Sequence, residues 1–343
     1  SPFLKPNLKS SQADIAQTET QKTLQQYVEM TANKIRIIQG QAALSKHAKT
    51  FDDIEFKYQV DRHIVAAIWG METNYGSIRG DVPVLSALAT LASQGRRRSM
   101  FEAQLLSTFE IINQGIKLPN QILGSWAGAM GHTQFMPKSY IDFAISANSG
   151  KSDIWSDDPA DALTSTANFL ICHGWIPDTP WGEVAYFSKN EDLPSLLKYP
   201  PQWIKDWKNL GLLSEKSSIP NYVAQLVLPG GVSSLGFLVS ENFNALLRYN
   251  NAPAYAIAVG NLADRLQGAP PLQFPPGGDL RGLNQSEIQY LQNQLTKLGY
   301  DTIGADGFIG PNTKMAIEAF QIANNLPVDG FAGLSLLKKI KLQ

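Results

Sequence analysis

Apolar residues recur at helical spacing along much of this chain, and the run Ile64 to Gly76 ends in one carboxylate and then a turn, with Ile64, Ile68 and Glu72 falling on one face. The spacing predicts a helix that begins near His63, behind Asp61 as N-cap, and runs to Glu72, where Asn74 and Gly76 read as the stop. Glu72 then continues the buried stripe instead of facing water. Apolar neighbours and the negative end of the helix dipole both disfavour ionisation there, which keeps a carboxyl protonated near neutral pH and ready to act as a general acid. The alternative is a partly exposed Glu at a fraying helix end.

Ahead of this run, Leu24, Tyr27, Val28, Ile35 and Ile38 predict one helix from Thr18 to about Leu44, preceded by a polar, Pro-containing arm over residues 1–17. Behind it, Asp81 to Ala92 predicts a helix with Pro83 near its start, and Arg96, Arg97 and Arg98 precede another from Phe101 to about Gln114. A helix from Pro159 to Cys172 follows, with Asp158 as N-cap, and Cys172 in its apolar run reads as a small buried thiol. From Gly182 to about Ser240 the pattern changes. Val184 to Phe187, Tyr222 to Leu228 and Gly236 to Val239 are β-branched or aromatic and predict strands, with a helix from Leu193 to Leu212 between them, so residues 182–240 read as an inserted α+β subdomain. Helix returns at Glu241 to Leu247 and again up to about Leu266. The Pro/Gly-rich stretch from Gly268 to Gly278 marks a linker. Beyond it Asn284 and Glu287 open a helix carrying Ile288, Leu291, Leu295 and Leu298, and a small repeat, Asp306 to Gly310 and Asp329 to Gly333, feeds two more. The expected fold class is therefore mainly α: a large domain over 18–268, a linker over 269–281 and a small three-helix module over 282–343 suited to binding.

Composition narrows the chemistry. With 43% hydrophobic and 17% charged residues and a formal net charge of -1, the chain lacks the electrostatic footprint of a nucleic-acid or anionic-membrane binder. The single cysteine rules out an intramolecular disulfide. No apolar run approaches the roughly 18 to 20 residues of a spanning helix, and Ser1-Pro2-Phe3 resembles neither a signal peptide nor a lipidation site, which leaves a leader or anchor ahead of Ser1 open. His47, His63, His132 and His173 show no two-His ligand spacing, and no nucleophile elbow, phosphate loop or dinucleotide fingerprint is present. The acidic group Asp153, Asp157, Asp158 and Asp161 lacks EF-hand spacing and reads as capping and solvation. No metal or cofactor is expected. Carboxylate chemistry on an aromatic-lined groove remains. Gly124 to Pro137 combines glycines with Trp126, Met130, Gln134 and Phe135, which reads either as tight helix packing or as a surface suited to the apolar faces and hydroxyls of a sugar, and Tyr249, Asn250 and Tyr255 around an Asn/Pro turn read either as core anchors or as a second sugar-lining set. Arg97 and Arg98 read either as a solvated surface cluster or as guanidinium forks for acidic or acetamido-bearing ligands.

These motifs resemble the B-type lytic murein transglycosylases, bacterial enzymes that cleave peptidoglycan strands on a lysozyme-like α fold. The resemblance covers about residues 20–268. It rests on Gly70-Met71-Glu72-Thr73 with Tyr75-Gly76, the arginine pair, Ser125 to Gly131 with Gln134 to Pro137, Ala167-Asn168 with His173-Gly174-Trp175, and Arg248-Tyr249-Asn250 with Tyr255. The tail, with Leu291-Gln292, Leu298-Gly299-Tyr300, Asp306-Gly307 and Phe320-Gln321, resembles a peptidoglycan-binding domain. The resemblance implies cleavage of the β-1,4 bond between N-acetylmuramic acid and N-acetylglucosamine, with a 1,6-anhydromuramoyl end as product. It assigns Glu72 both proton transfers and places Ser125, Gln134, Tyr249, Asn250, Tyr255, Arg97, Arg98, Met130 and Tyr75 around the substrate. It implies a periplasmic monomer, soluble or held at the outer membrane by an anchor ahead of Ser1, acting on glycan strands with cell-wall synthases as candidate partners. Two departures stand out: His132-Thr133 replaces an aromatic residue and Gly, and the segment before Asp161 lacks the calcium loop of some relatives. The competing readings are a lysozyme-type hydrolase, for which Asp81 and Glu102 are the candidate second acids, and a non-catalytic peptidoglycan-binding protein.

Overall fold

The computed structural model describes residues 7, 10, 22–94, 97–187, 193–213, 221–275 and 282–342. Most of the expected N-terminal arm, Arg96 and residues 276–281 of the linker lie outside the described residues. In chain order the helices are α1 (Leu24–Thr31), α2 (Lys34–Lys46), α3 (Ala48–Tyr58), α4 (Arg62–Thr73), α5 (Val84–Gln94), α6 (Arg98–Asn113), α7 (Pro137–Phe143), α8 (Ala160–Cys172), α9 (Leu193–Leu196), α10 (Ile204–Asn209), α11 (Glu241–Tyr249), α12 (Pro253–Leu266), α13 (Gln285–Lys297), α14 (Pro311–Ala323) and α15 (Leu334–Lys341). The strands are β1 (Val82–Pro83), β2 (Leu123–Gly124), β3 (Gly182–Phe187), β4 (Gln202–Trp203), β5 (Leu212–Leu213), β6 (Val223–Val227) and β7 (Gly236–Val239). The described residues fall into two compact units, one drawn from 1–18, 31–177 and 259–270, the other from 19–30, 178–258 and 271–343.

In the first unit α4 is the central helix. Asp61 caps it by accepting from the His63 N–H (2.7 Å), and every residue from Ile64 to Gly70 is buried, so it packs on several sides, against α2, α3 and α8. The single helix expected from Thr18 to about Leu44 is two. Asn33 breaks it and caps α2 by accepting from the Arg36 N–H (3.0 Å). The new start resets the helical phase: Ile37 turns inward, while Ile35 and Ile38, expected on the buried stripe, are exposed. Helix α3, which the pattern did not predict, buries Phe51 and Ile54 and closes on Gln59 in the left-handed region. The expected helix from Asp81 begins only at Val84, because Val82 and Pro83 pair with Gly124 and Leu123 as the β1–β2 ribbon. Cys172 is exposed, contrary to expectation, because it ends α8 on that helix's outer side.

In the second unit the inserted segment forms a five-stranded antiparallel sheet in the order β4-β6-β7-β3-β5. The helix expected from Leu193 to Leu212 is interrupted at Pro200-Pro201, which cannot continue a helix, and Trp203 joins edge strand β4 instead. Trp207, on α10, is fully buried and donates its indole N–H to the Ala224 carbonyl (2.9 Å). The C-terminal module opens on α13 with a complete capping box of Asn284 and Glu287. Its core holds Leu291, Leu295, Ile317, Phe320 and Leu337. Each half of the Asp-Gly repeat is gripped by a buried glutamine. Gln292 donates to Asp306 Oδ1 (2.9 Å) and accepts from the Gly307 N–H (2.9 Å); Gln321 donates to Asp329 Oδ1 (2.7 Å) and accepts from the Gly330 N–H (3.0 Å). Among the described residues no helix is long and apolar enough to cross a membrane.

Candidate functional site

Glu72 occupies the last turn of α4 and is half-buried, so its carboxyl stands where the buried stripe of Ile64 and Ile68 meets solvent. The helix stops beyond it because Asn74, Tyr75 and Gly76 all take positive φ, and the Asn74 N–H folds back onto the Gly70 carbonyl. Thr73 points inward and is 1% exposed. Its hydroxyl donates to the His132 carbonyl (2.6 Å) and accepts from the Gly76 N–H (3.0 Å). One side chain thus ties the end of the carboxylate's helix to the glycine-rich segment and shapes the turn between them.

That segment is a tight ribbon. Gly124 bridges to Met130 and Met130 to Phe135, and the Ser125 hydroxyl accepts from the Ala129 N–H (3.1 Å). Glycine is required at Gly124, where a Cβ would stand 2.1 Å from the Ala129 carbonyl, and at Gly80, whose φ is +86° and whose Cβ would meet the Gly124 carbonyl at 2.2 Å. Gln134, itself at positive φ, folds its amide back to donate to Arg79 O (3.2 Å) and Gly131 O (3.0 Å). Met130 is fully buried, so its side chain anchors the ribbon in the core instead of lining a groove. Tyr75 also turns inward: its ring fills a notch left by Gly40 and Gly70, a Cβ on either of which would come within 2.8 Å of the phenol, and burial holds its hydroxyl pKa above the usual range.

His132, buried between these parts, is neutral in this network. It accepts from the Trp69 indole at Nδ1 (3.2 Å), which leaves the proton on Nε2 to donate to the Ser156 carbonyl (2.8 Å). Arg79 fixes the same loop, donating to the carbonyls of Trp155 and Ser156 (2.9 Å each) and to Asp157 (2.8 Å). The sequence pattern did not assign Thr73, Arg79 or Trp69 to the site, since each acts through a contact remote along the chain. Only the departure at His132-Thr133 hinted at this layer.

Arg97 lies over the Phe101 ring (5.4 Å), and Arg98 pairs with Glu102 (2.9 Å) on the exposed side of α6. Asp81 is exposed just ahead of β1. In the second unit, Tyr249, Asn250 and Tyr255 share the turn between α11 and α12, with Tyr249 half-buried, Asn250 exposed and Tyr255 buried. The acidic group is already engaged by protein donors. Asp161 accepts from the backbone N–H groups of Ala147 and Asp153 (2.7 Å each), and Asp153 pairs with Lys117 (2.8 Å). Among the described residues no group of three or more His, Cys, Asp or Glu could hold a metal ion.

Comparison with known proteins returns the same themes. Residues 3–264 match the family described as Transglycosylase SLT domain, and residues 284–340 match a peptidoglycan binding domain family. Membrane-bound lytic murein transglycosylase B of Escherichia coli (strain K12) is 32% identical over 214 residues, which is 60% of this chain and 56% of that protein, so the match spans little more than half the relative's length. Among solved structures, SltB3 of Pseudomonas aeruginosa in complex with NAG-anhNAM-pentapeptide is 38% identical, with a TM-score of 0.92 over 98% of this chain and 92% of that one. Soluble lytic transglycosylase SltB1 of the same organism is 27% identical, with a TM-score of 0.68 over 78% of this chain and 91% of that one. The architecture is accordingly mainly α and lysozyme-like, with a three-helix C-terminal module.

Proposed function

Since the chain belongs to the Transglycosylase SLT domain family, we propose that it is a lytic transglycosylase that cleaves the β-1,4 bond between N-acetylmuramic acid and N-acetylglucosamine in peptidoglycan and leaves 1,6-anhydromuramoyl ends. One observation carries the reading: a single half-buried carboxylate, Glu72, closes the central helix beside a ribbon of small and amide residues to which Thr73 ties it. Of the alternative acids, Glu102 is paired with Arg98 and Asp81 is exposed outside the helix, so neither supports a two-carboxylate hydrolase.

In the proposed mechanism the Glu72 carboxyl protonates the departing glycosidic oxygen. The resulting carboxylate then takes the proton from the C6 hydroxyl of the muramoyl residue as that oxygen attacks C1. The nucleophile belongs to the substrate, so proximity replaces a second protein acid, and the 2-acetamido group can assist. Ser125, Gln134, Tyr249, Asn250 and Tyr255 are proposed to position the sugars, with Tyr75 and Met130 acting through packing and Arg97 and Arg98 meeting stem-peptide or lactyl carboxylates. The C-terminal module is proposed to hold the polymer. The P. aeruginosa relative was crystallised with an anhydromuramoyl ligand, which is consistent with this product. A periplasmic monomer working beside cell-wall synthases is part of the same proposal.

Mass spectrometry of digested sacculi tests the reading. Wild type should release muropeptides ending in 1,6-anhydro sugar, and Glu72→Gln should lose nearly all release while still binding the polymer. Reducing ends in place of anhydro ends would overturn the transglycosylase assignment, and undiminished release by the variant would remove Glu72 from the chemistry.

A further inference from the structure

Three of the eight residues from Trp69 to Gly76 meet His132, and they bracket Glu72. Trp69, one turn before it, donates its indole N–H to Nδ1 (3.2 Å) and stands edge-on to the imidazole (5.7 Å between centroids). Thr73, the next residue, donates to the His132 carbonyl (2.6 Å). Gly76 lies so close to the ring that a Cβ there would approach Nδ1 to 2.5 Å. On its far side the ring donates from Nε2 to Ser156 O (2.8 Å), and two residues on Gln134 folds its amide onto the Arg79 and Gly131 carbonyls. His132 therefore joins the carboxylate's helix end, through its ring to Trp69 and its carbonyl to Thr73, to the segment that leads into the Gln134 turn, and its ring makes the Trp69 and Ser156 bonds together only as the neutral Nε2–H tautomer.

We propose that His132 is a pH-sensitive positioning residue: its neutral ring holds the last turn of α4, and so Glu72, in register with the Gln134 turn, and its protonation releases that register. The inference rests on the role given to Glu72. Protonation would put a donor on Nδ1 facing the Trp69 indole N–H, two donors in opposition at 3.2 Å. The charged groups that face the ring are Arg79, whose guanidinium lies 3.3 Å from Nε2, Asp157, and His47, which stacks edge-on against Trp69. Burial first, then Arg79, lowers the imidazole pKa below its ordinary 6.5, against the Ser156 bond and Asp157, which raise it. The register therefore stays set at and somewhat below neutral pH and is lost as the medium turns more acidic, giving turnover an acid limb that belongs to neither substrate nor Glu72.

The test joins kinetics to a direct titration in the full-length protein. The indole N–H resonance of Trp69 and the acid limb of kcat should share one midpoint below 6.5. His132→Asn keeps an oxygen that can accept from Trp69 but cannot titrate, so its acid limb should disappear while KM stays within about twofold. His132→Leu offers neither ring nor acceptor and should lower kcat about tenfold or more at pH 8, since an ångström of misplacement is worth up to roughly 10²-fold. An acid limb unchanged in His132→Asn would overturn the proposal. So would a wild-type indole resonance that does not titrate before unfolding, a measurement that needs no variant to fold. Glu72→Gln separates the two readings: it should abolish turnover and keep the indole titration, whereas retained turnover would defeat the Glu72 assignment and leave His132 to be judged on the titration.

Discussion

Thr73 carries more of the site than its place beside the carboxylate suggests. Replacing it by Val keeps the shape and removes the hydroxyl, leaving the His132 carbonyl and the Gly76 N–H without their shared partner. Buried groups left unpaired cost about 1–3 kcal/mol, so Thr73→Val should lower the urea midpoint with an unchanged m-value and reduce turnover. Tyr75 makes the same point through shape. Gly70→Ala would place a methyl 2.7 Å from the Tyr75 ring, which cannot bend away, so the variant should expose the ring, and its fluorescence and solvent accessibility should rise. The position of Glu72 at the end of α4 was legible because apolar periodicity is a local property and a carboxylate at its end breaks the pattern. Thr73 and His132 were not, because their meaning lies in a hydrogen bond that spans 59 residues of sequence.

Among the elements, the β1–β2 ribbon holds the Gly124 to Pro137 segment against α5. Gly124→Ala would drive a methyl into the Ala129 carbonyl and toward Val84, and overpacking of this kind typically costs about 1–3 kcal/mol. Its expected signature is a lower thermal midpoint together with faster hydrogen exchange at Ser125 and Ala129, whose backbone bond closes the ribbon at 2.7 Å. Strands β3, β6 and β7 could be read from their β-branched and aromatic runs, since residues that fit a half-buried pleat announce it. Helix continuity was harder to read. The sequence from Thr18 to Leu44 keeps an apolar rhythm across Asn33, yet the cap restarts the helix and turns Ile35 and Ile38 outward. Cys172 ends α8 in an apolar context and still faces solvent, because which side of a helix is buried is set by its neighbours.

At the scale of the molecule, the two halves of the module's repeat use the same glutamine clamp to different ends. Asp329 Oδ2 also accepts from the Val232 N–H (3.0 Å), and Phe331 lies against Gly231, so the second loop docks on the inserted subdomain. The first loop instead leaves Phe308 61% exposed. Gln321→Leu should therefore loosen both the module and this contact, raising hydrogen exchange at Gly330 and Val232 together, whereas Gln292→Leu should affect only Gly307 and its surroundings. Deleting residues 270–343 is expected to weaken sacculus binding more than turnover of soluble glycan fragments, as read by pelleting and by product release. Equal binding by the shortened chain would refute the role given to the module.

Periodicity, caps and turn residues determined that the chain is mainly helical, that a strand-rich segment interrupts it, that a Pro-rich stretch precedes a small module, and that Glu72 stands at the end of an apolar helix. Each of these depends on interactions within a few residues of sequence. Only the tertiary structure decided which face of each helix is buried, that Met130 and Tyr75 act through packing, that Asp161 and Asp153 are engaged by backbone N–H groups and Lys117, and that His132 supports the end of α4. Those outcomes depend on partners tens of residues away, whose positions no local preference specifies.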